Sequence, residues 1–80
     1  MPTYWFHESQ ECRGLLEARR LTRGEAQAMH AERIAALERE GWKRSDKSIV
    51  DIQPYLGREG QEICLLKGGK SRLVRWEEEV

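Results

Sequence analysis

Apolar positions along this chain change spacing from two residues to between three and four, and back to two. Thr3 to His7 is aromatic and β-branched, which favours an extended strand with Tyr4 and Phe6 on one face and Trp5 and His7 on the other. Glu8 to Glu11 is polar and reads as a turn. Cys12 to Leu21 reads as a second strand pairing back on the first. Its alternation is imperfect, because Leu15 and Leu16 are adjacent and Arg19 and Arg20 follow. A short helix through Leu15–Arg20 is the competing reading, and the strand is favoured because a helix cap at Thr22 must be preceded by non-helical backbone.

The period then lengthens. Thr22-Arg23-Gly24-Glu25 has the spacing of a capping box, in which the Thr hydroxyl accepts an N–H three residues on and the Glu carboxylate reaches back. A helix is predicted from about Arg23 to Glu40. Ala26, Met29, His30, Ile34 and Leu37 fall on one face, with Arg33 along its border. Ala28, Ala31 and Ala35 lie opposite. Gly41 suits the left-handed residue after a last helical turn, and Trp42 is expected to fold back beside Leu37.

Beyond the helix, Trp42–Lys47 is a basic connection with room for a short extended piece. Ser48–Tyr55 reads as a strand through Ile49, Val50 and Ile52, with Pro54 at its end or at a sheet edge. Leu56–Gly60 is a loop. Glu62–Leu66 and Ser71–Trp76 are the last two strands, joined by Lys67-Gly68-Gly69-Lys70, a two-residue hairpin signal. Lys67 opposite Lys70 sets Leu65 against Arg72, Ile63 against Val74 and Gln61 against Trp76 on one face. The other face pairs Leu66 with Ser71, Cys64 with Leu73 and Glu62 with Arg75. Ile63, Val74 and Trp76 mark the face that meets the helix. The expected fold is therefore α+β: one long helix packed on an antiparallel sheet of four to five strands, in the order β-β-α-β-β-β. Residues 1–80 form a single small domain in this reading, and 77–80 a frayed acidic tail.

Composition narrows the function. Lys+Arg and Asp+Glu number 14 each, so whole-surface attraction to nucleic acid or anionic membrane is disfavoured. No apolar run approaches the ~20 residues of a membrane span, and the first residues lack the basic and apolar regions of a secretory signal. Two cysteines, Cys12 and Cys64, are too few for a disulfide-stapled scaffold. A reduced, soluble, cytoplasmic protein without membrane contact is expected, and whether the two thiols pair is left open.

Candidate chemistry is sparse. His7, Cys12, His30 and Cys64 supply a Cys2His2 ligand set, but no pair has the short separation of a zinc knuckle. Ser9 and Ser45 sit in no nucleophile motif, and Gly57-Arg58-Glu59-Gly60 precedes a strand rather than the helix a phosphate loop requires. The chain is read as non-enzymatic, with no cofactor and no metal. Trp5, as an exposed aromatic anchor, the Arg19, Arg20 and Arg23 cluster, and Glu77, Glu78 and Glu79 are the candidate contacts for a protein or protein complex. A sheet apolar on both faces with one helix to cover it leaves a surface for such a partner, or for a second copy in a homodimer. The alternative is a small nucleic-acid-binding regulator using a basic hairpin and post-helix patch: Lys43, Arg44, Lys47, Lys67, Lys70 and Arg72.

In its size, its build and the opening strand Tyr4-Trp5-Phe6-His7-Glu8-Ser9, the chain resembles small phage- or mobile-element-encoded inhibitors, of which anti-CRISPR proteins are the best-known class. The resemblance implies an inhibitor that docks on a nucleic-acid-handling effector complex and blocks target binding or nuclease recruitment. It carries over no functional residue.

Overall fold

The computed structural model describes residues 2–46, 48 and 50–80. Its elements, in chain order, are β1 (Tyr4–Gln10), β2 (Gly14–Leu21), α1 (Arg23–Arg39), β3 (Lys43–Arg44), the one-turn α2 (Gln53–Leu56), β4 (Gly60–Lys67) and β5 (Lys70–Glu78). The strands form one antiparallel five-stranded sheet in the order β2-β1-β5-β4-β3. The α+β architecture and the order β-β-α-β-β-β are as the pattern indicates, with a 17-residue helix. The last strand lies at the centre of the sheet, between the first and the fourth.

Helix α1 is fixed at both ends by the residues that signal it. Thr22 Oγ1 accepts from Glu25 N at 3.3 Å, and Thr22 N donates to Glu25 Oε1 at 3.1 Å. At the other end Gly41 takes φ 99°. Gly41 N donates to Glu38 O at 3.1 Å and Trp42 N to Leu37 O at 3.0 Å, the paired bonds of a Schellman turn. That turn folds Trp42 onto Leu37. Both join Phe6, Ile34, Ile63, Leu65 and Val74 in the main core cluster, while Tyr4, Ala26 and Trp76 pack beside it. Lys67 Nζ donates to the terminal carbonyl of Glu40 at 2.6 Å, where a cation complements the helix dipole.

The β4–β5 register is the one the Gly-Gly turn dictates, from Lys67 opposite Lys70 to Gln61 opposite Trp76. Tyr4 and Phe6 face the helix and Trp5 and His7 the other side, as alternation requires. Four expectations are corrected. Strand β1 runs on through Glu8 and Gln10, both buried, so the turn is 11–13 and β2 begins at Gly14 rather than Cys12. The third strand is Lys43–Arg44. The stretch expected as a strand over Ser48–Tyr55 contains instead the single turn α2, with Pro54 in its first turn. A proline without an N–H fits a helix start at no cost, and Ile52 is buried ahead of it. Ile49 lies outside the described residues. The fourth correction is the acidic tail: Glu77 and Glu78 are rungs of β5, opposite Trp5 and Tyr4.

The buried Glu8 and Gln10 break the apolar pattern for a reason. Glu8 accepts from Arg33 Nη1 on α1 and from Arg72 Nη1 on β5, the latter at 3.0 Å. Arg33 Nη2 also donates to Glu17 at 2.9 Å, and Arg72 Nη2 donates to Gln10. The Arg72 guanidinium lies 4.6 Å from the Trp42 ring centroid and that of Arg33 lies 5.3 Å from Phe6. One end of the layer between helix and sheet is thus closed by paired charge with aromatic faces stacked on it.

Candidate functional site on the open face of the sheet

Because α1 covers one face only, alternate residues of all five strands are displayed on the other. The register arranges them in rows. Arg20, Trp5 and Glu77 form one row, followed by Ala18, His7, Arg75 and Glu62, then Leu15, Ser9, Leu73 and Cys64, then Ser71, Leu66 and Lys43. The first two rows are charged and aromatic. The last two carry Leu15, Leu66 and Leu73, which are 62%, 46% and 40% exposed.

The charged half is a fixed lattice. Arg20 donates to both oxygens of Glu79, with Nη2 at 2.6 Å from Oε1 and 2.9 Å from Oε2. Its guanidinium lies 5.5 Å from the Trp5 ring centroid, and the Trp5 and His7 rings stack at 5.6 Å. Glu77 is the hub. It accepts from Arg58 Nη2 at 3.0 Å and from Arg75 Nη1 at 3.2 Å, and lies 3.3 Å from His7 Nε2. Arg75 Nη2 also donates to Glu62 at 2.6 Å; burial pulls the Arg75 pKa down, and the Glu62 and Glu77 carboxylates together outweigh it and hold the guanidinium above its ordinary value. A shallow depression of about 270 Å³ lies between the halves, floored by His7, Ser9 and Arg75 and walled by Leu15 and Leu73.

The Cys64 thiol is pushed up in pKa, first by burial and then by the nearby Glu62 and Glu11 carboxylates, the reverse of what thiolate chemistry needs. Cys12 and Cys64 are both free thiols, Cys12 in the exposed β1–β2 turn with φ 69°. His30 is on the covered side, its Nε2 3.0 Å from the Val74 carbonyl, and cannot join His7. Among the described residues no group of three or more His, Cys, Asp and Glu is placed to hold a metal ion. No helix among them is long and apolar enough to cross a membrane.

Of the residues expected to contact a protein, the fold gathers Trp5, Arg20, Glu77 and Glu79 on the open face and separates the rest. Arg19 is on the covered face of β2, 2.7 Å from Glu17. Glu78 is on the same side, opposite Tyr4. Arg23 is committed to the fold: its Nη2 and Nε donate to Glu59 at 2.6 and 2.8 Å, and Tyr4 Oη donates to the same carboxylate at 2.9 Å. The hydrogen bonds from Arg23 and then Tyr4 hold the Glu59 carboxyl down at about 2.

The basic set fares differently. Arg72 lies under the helix, bound to Glu8 and Gln10. Lys67 caps α1, and Arg44 lies 3.5 Å from Glu38. Lys43 and Lys70 are exposed at the hairpin end, beside a depression of about 400 Å³ that Leu66 and Gly69 also line. Lys47 lies outside the described residues. Sequence reasoning placed Leu66 and Leu73 on the uncovered apolar face and missed His7, Arg58, Leu15, Arg75 and Glu62 as site residues. The hairpin register already placed Arg75 and Glu62 away from the helix, but only the β1–β5 pairing joins them to Trp5. Comparison with family models, curated proteins and solved structures finds no match.

Proposed function

We propose that this chain is a non-catalytic binding module whose working surface is the open face of its sheet, and that its partner is a protein. The observation that carries this reading is the pairing of an exposed leucine strip with a lattice of arginines and carboxylates already bound to one another. A polyanion requires unpaired cations. Here Arg20, Arg58 and Arg75 are matched by Glu79, Glu77 and Glu62, a pattern that suits a mixed protein surface with apolar groups to cover Leu15, Leu66 and Leu73. In the terms of the resemblance to anti-CRISPR proteins, the module would be an inhibitor that blocks an effector complex by occupying its surface.

The test is affinity capture with the wild-type chain, with Leu73→Glu on the open face, and with Arg39→Glu on the outer side of α1. A stoichiometric protein partner lost with the first variant and kept with the second is expected. No partner, or one indifferent to Leu73→Glu, removes the reading. If the captured partner handles nucleic acid, its target binding should fall as this chain is titrated in.

The exposed Lys43 and Lys70 favour a second reading, in which the hairpin end contacts nucleic acid. Duplex binding that falls with salt and is lost in a Lys43→Glu, Lys70→Glu double variant would support it. Absence of binding at low salt would end it.

A further inference from the structure

We propose that two copies of this chain join edge to edge through β2, antiparallel and centred on Ala18, so that their sheets become one. This goes beyond the open-face reading and does not depend on it.

The two edges of the sheet are finished differently. At the far edge, β3 is two residues long, and the outward groups of Cys64 and Gly60 on β4 beyond it are occupied. Ser45 N and Ser48 Oγ each donate to Cys64 O at 2.9 Å, Cys64 N donates to Ser48 Oγ at 3.3 Å, and Ile52 N donates to Gly60 O at 3.1 Å. At the near edge, β2 is eight residues long with six of them exposed. Among the described residues, Gly14–Leu21 makes no backbone hydrogen bond on its outward side that would play the part of that loop. A long edge left unsealed is a template for another strand.

The side chains of β2 select the strand that fits. Glu17 and Arg19 flank Ala18 on the same face of the sheet. In an antiparallel pair centred on Ala18, Glu17 faces Arg19 of the second copy and Arg19 faces its Glu17, so both rungs next to the axis are complementary. Ala18 meets Ala18 at the axis with nothing to obstruct it. Moving the axis to Glu17 or to Arg19 sets like charges directly opposite, which is unfavourable. Within one chain, Glu17 Oε2 is shielded from solvent and lacks a well-directed hydrogen bond even though Arg19 Nε lies 2.7 Å away. A second Arg19 supplies that donor and closes an alternating ring of four charges. With the axis perpendicular to the sheet, both helices stay on one side and the two open faces run together across the paired Ala18 residues.

Sedimentation equilibrium over a wide concentration range tests this with the wild type, Glu17→Arg, Arg19→Glu and an equimolar mixture of the two variants. The wild type should dimerise. Each variant alone sets two like-charged rungs at the axis and should dissociate about tenfold or more readily. The mixture, in which one chain presents two arginines and the other two glutamates, should recover dimers containing one of each. A monomeric wild type, variants that dimerise like it, or folded variants that do not recover on mixing would overturn the proposal. Should Glu17→Arg fail to fold, hydrogen exchange on the wild type decides. Outward amides of Gly14–Leu21 should slow as concentration rises, and rates independent of concentration would overturn it.

Discussion

Two residues in the layer between helix and sheet show how much a single polar side chain carries when it is buried. Glu8 is 3% exposed and holds Arg33 and Arg72 together. Replacing it with Ala removes the carboxylate the two half-buried arginines share, leaving Arg33 with Glu17 and Arg72 with Gln10. Breaking a buried pair costs about 3–5 kcal/mol, and because both arginines keep some solvent contact the lower figure applies, about 3 kcal/mol in chemical denaturation. A loss under about 1 kcal/mol would show that the network contributes little. His30, also 3% exposed, works differently. Burial lowers its pKa most, Arg44 lowers it further, and the hydrogen bond to Val74 opposes them. The folded chain therefore holds His30 neutral, its Nε2–H donated to Val74 O. The unfolded chain binds the proton from about pH 6.5 downward, so stability falls as pH drops below that value. The carboxylates with lowered pKa, Glu25 and Glu59, start from 4.5 and contribute their loss only below it. Denaturation midpoints between pH 7 and 5 should thus decline in the wild type. The decline should be much flatter in His30→Gln, whose amide can still donate to Val74. An equal decline in both would assign the effect elsewhere.

At the level of elements, α1 is the most fully specified by local signals, and its two ends are open to independent measurement. Thr22→Ala removes a cap and should cost about 1 kcal/mol. Gly41→Ala forces a side chain into the left-handed region at φ 99° and should cost about 1–2 kcal/mol. The two sites lie ~25 Å apart along the helix, so the double variant should show the sum within about 0.5 kcal/mol. A marked shortfall would mean that one end is fraying in the native state. These signals were legible because a cap, a Schellman turn and a Gly-Gly hairpin are each decided by residues within a few positions of one another. The same holds for the β4–β5 register, which follows from the turn alone. What was not legible depends on partners distant in sequence. Strand β1 continues through Glu8 and Gln10 because Arg33 and Arg72 wait for them in the fold. Ser48–Tyr55 reads like a strand, but its described residues meet the edge of β4 through the Ser48 hydroxyl and the Ile52 amide, and Gln53–Leu56 turns into α2. The candidate site was half visible for the same reason. Trp5, Arg20, Glu77 and Glu79 were singled out by type, whereas the neighbours that hold them, His7, Arg58 and Arg75, are assembled by the pairing of the first strand with the last.

That pairing governs the whole molecule. Strand β5 is central, with β4 on one side and β1 on the other, so the β1–β2 hairpin is tied to the rest of the sheet through the C-terminal segment. Composition alone suggests that Glu77-Glu78-Glu79-Val80 is dispensable. The structure makes it a fastening. Glu78 N donates to Glu59 O and Glu79 N to Thr3 O, each at 2.8 Å, while Glu79 holds Arg20 and Glu77 holds Arg58 and Arg75. Deleting 77–80 removes these two backbone hydrogen bonds, worth a net ~0.5–1.5 kcal/mol each, the rungs Glu77 and Glu78 make with Trp5, Tyr4 and Gly60, and the ion-pair hub of the open face, and it leaves Arg58 and Arg20 without their carboxylates. The expected loss is about 2–4 kcal/mol in denaturant unfolding, a large share of the stability of so small a domain. Hydrogen exchange should be fastest to appear in β1 and β2, whose link to β5 is shortened, and slowest in the β4–β5 hairpin, which its own turn maintains. The triple substitution of Glu77, Glu78 and Glu79 by Gln separates the two contributions, because it keeps the backbone bonds and removes the charge. It should cost less than the deletion and leave exchange in β1 near its wild-type rate. An unchanged midpoint in the deleted chain would show that the first and last strands are held together without their final rungs, and that the acidic residues are free to serve a partner alone.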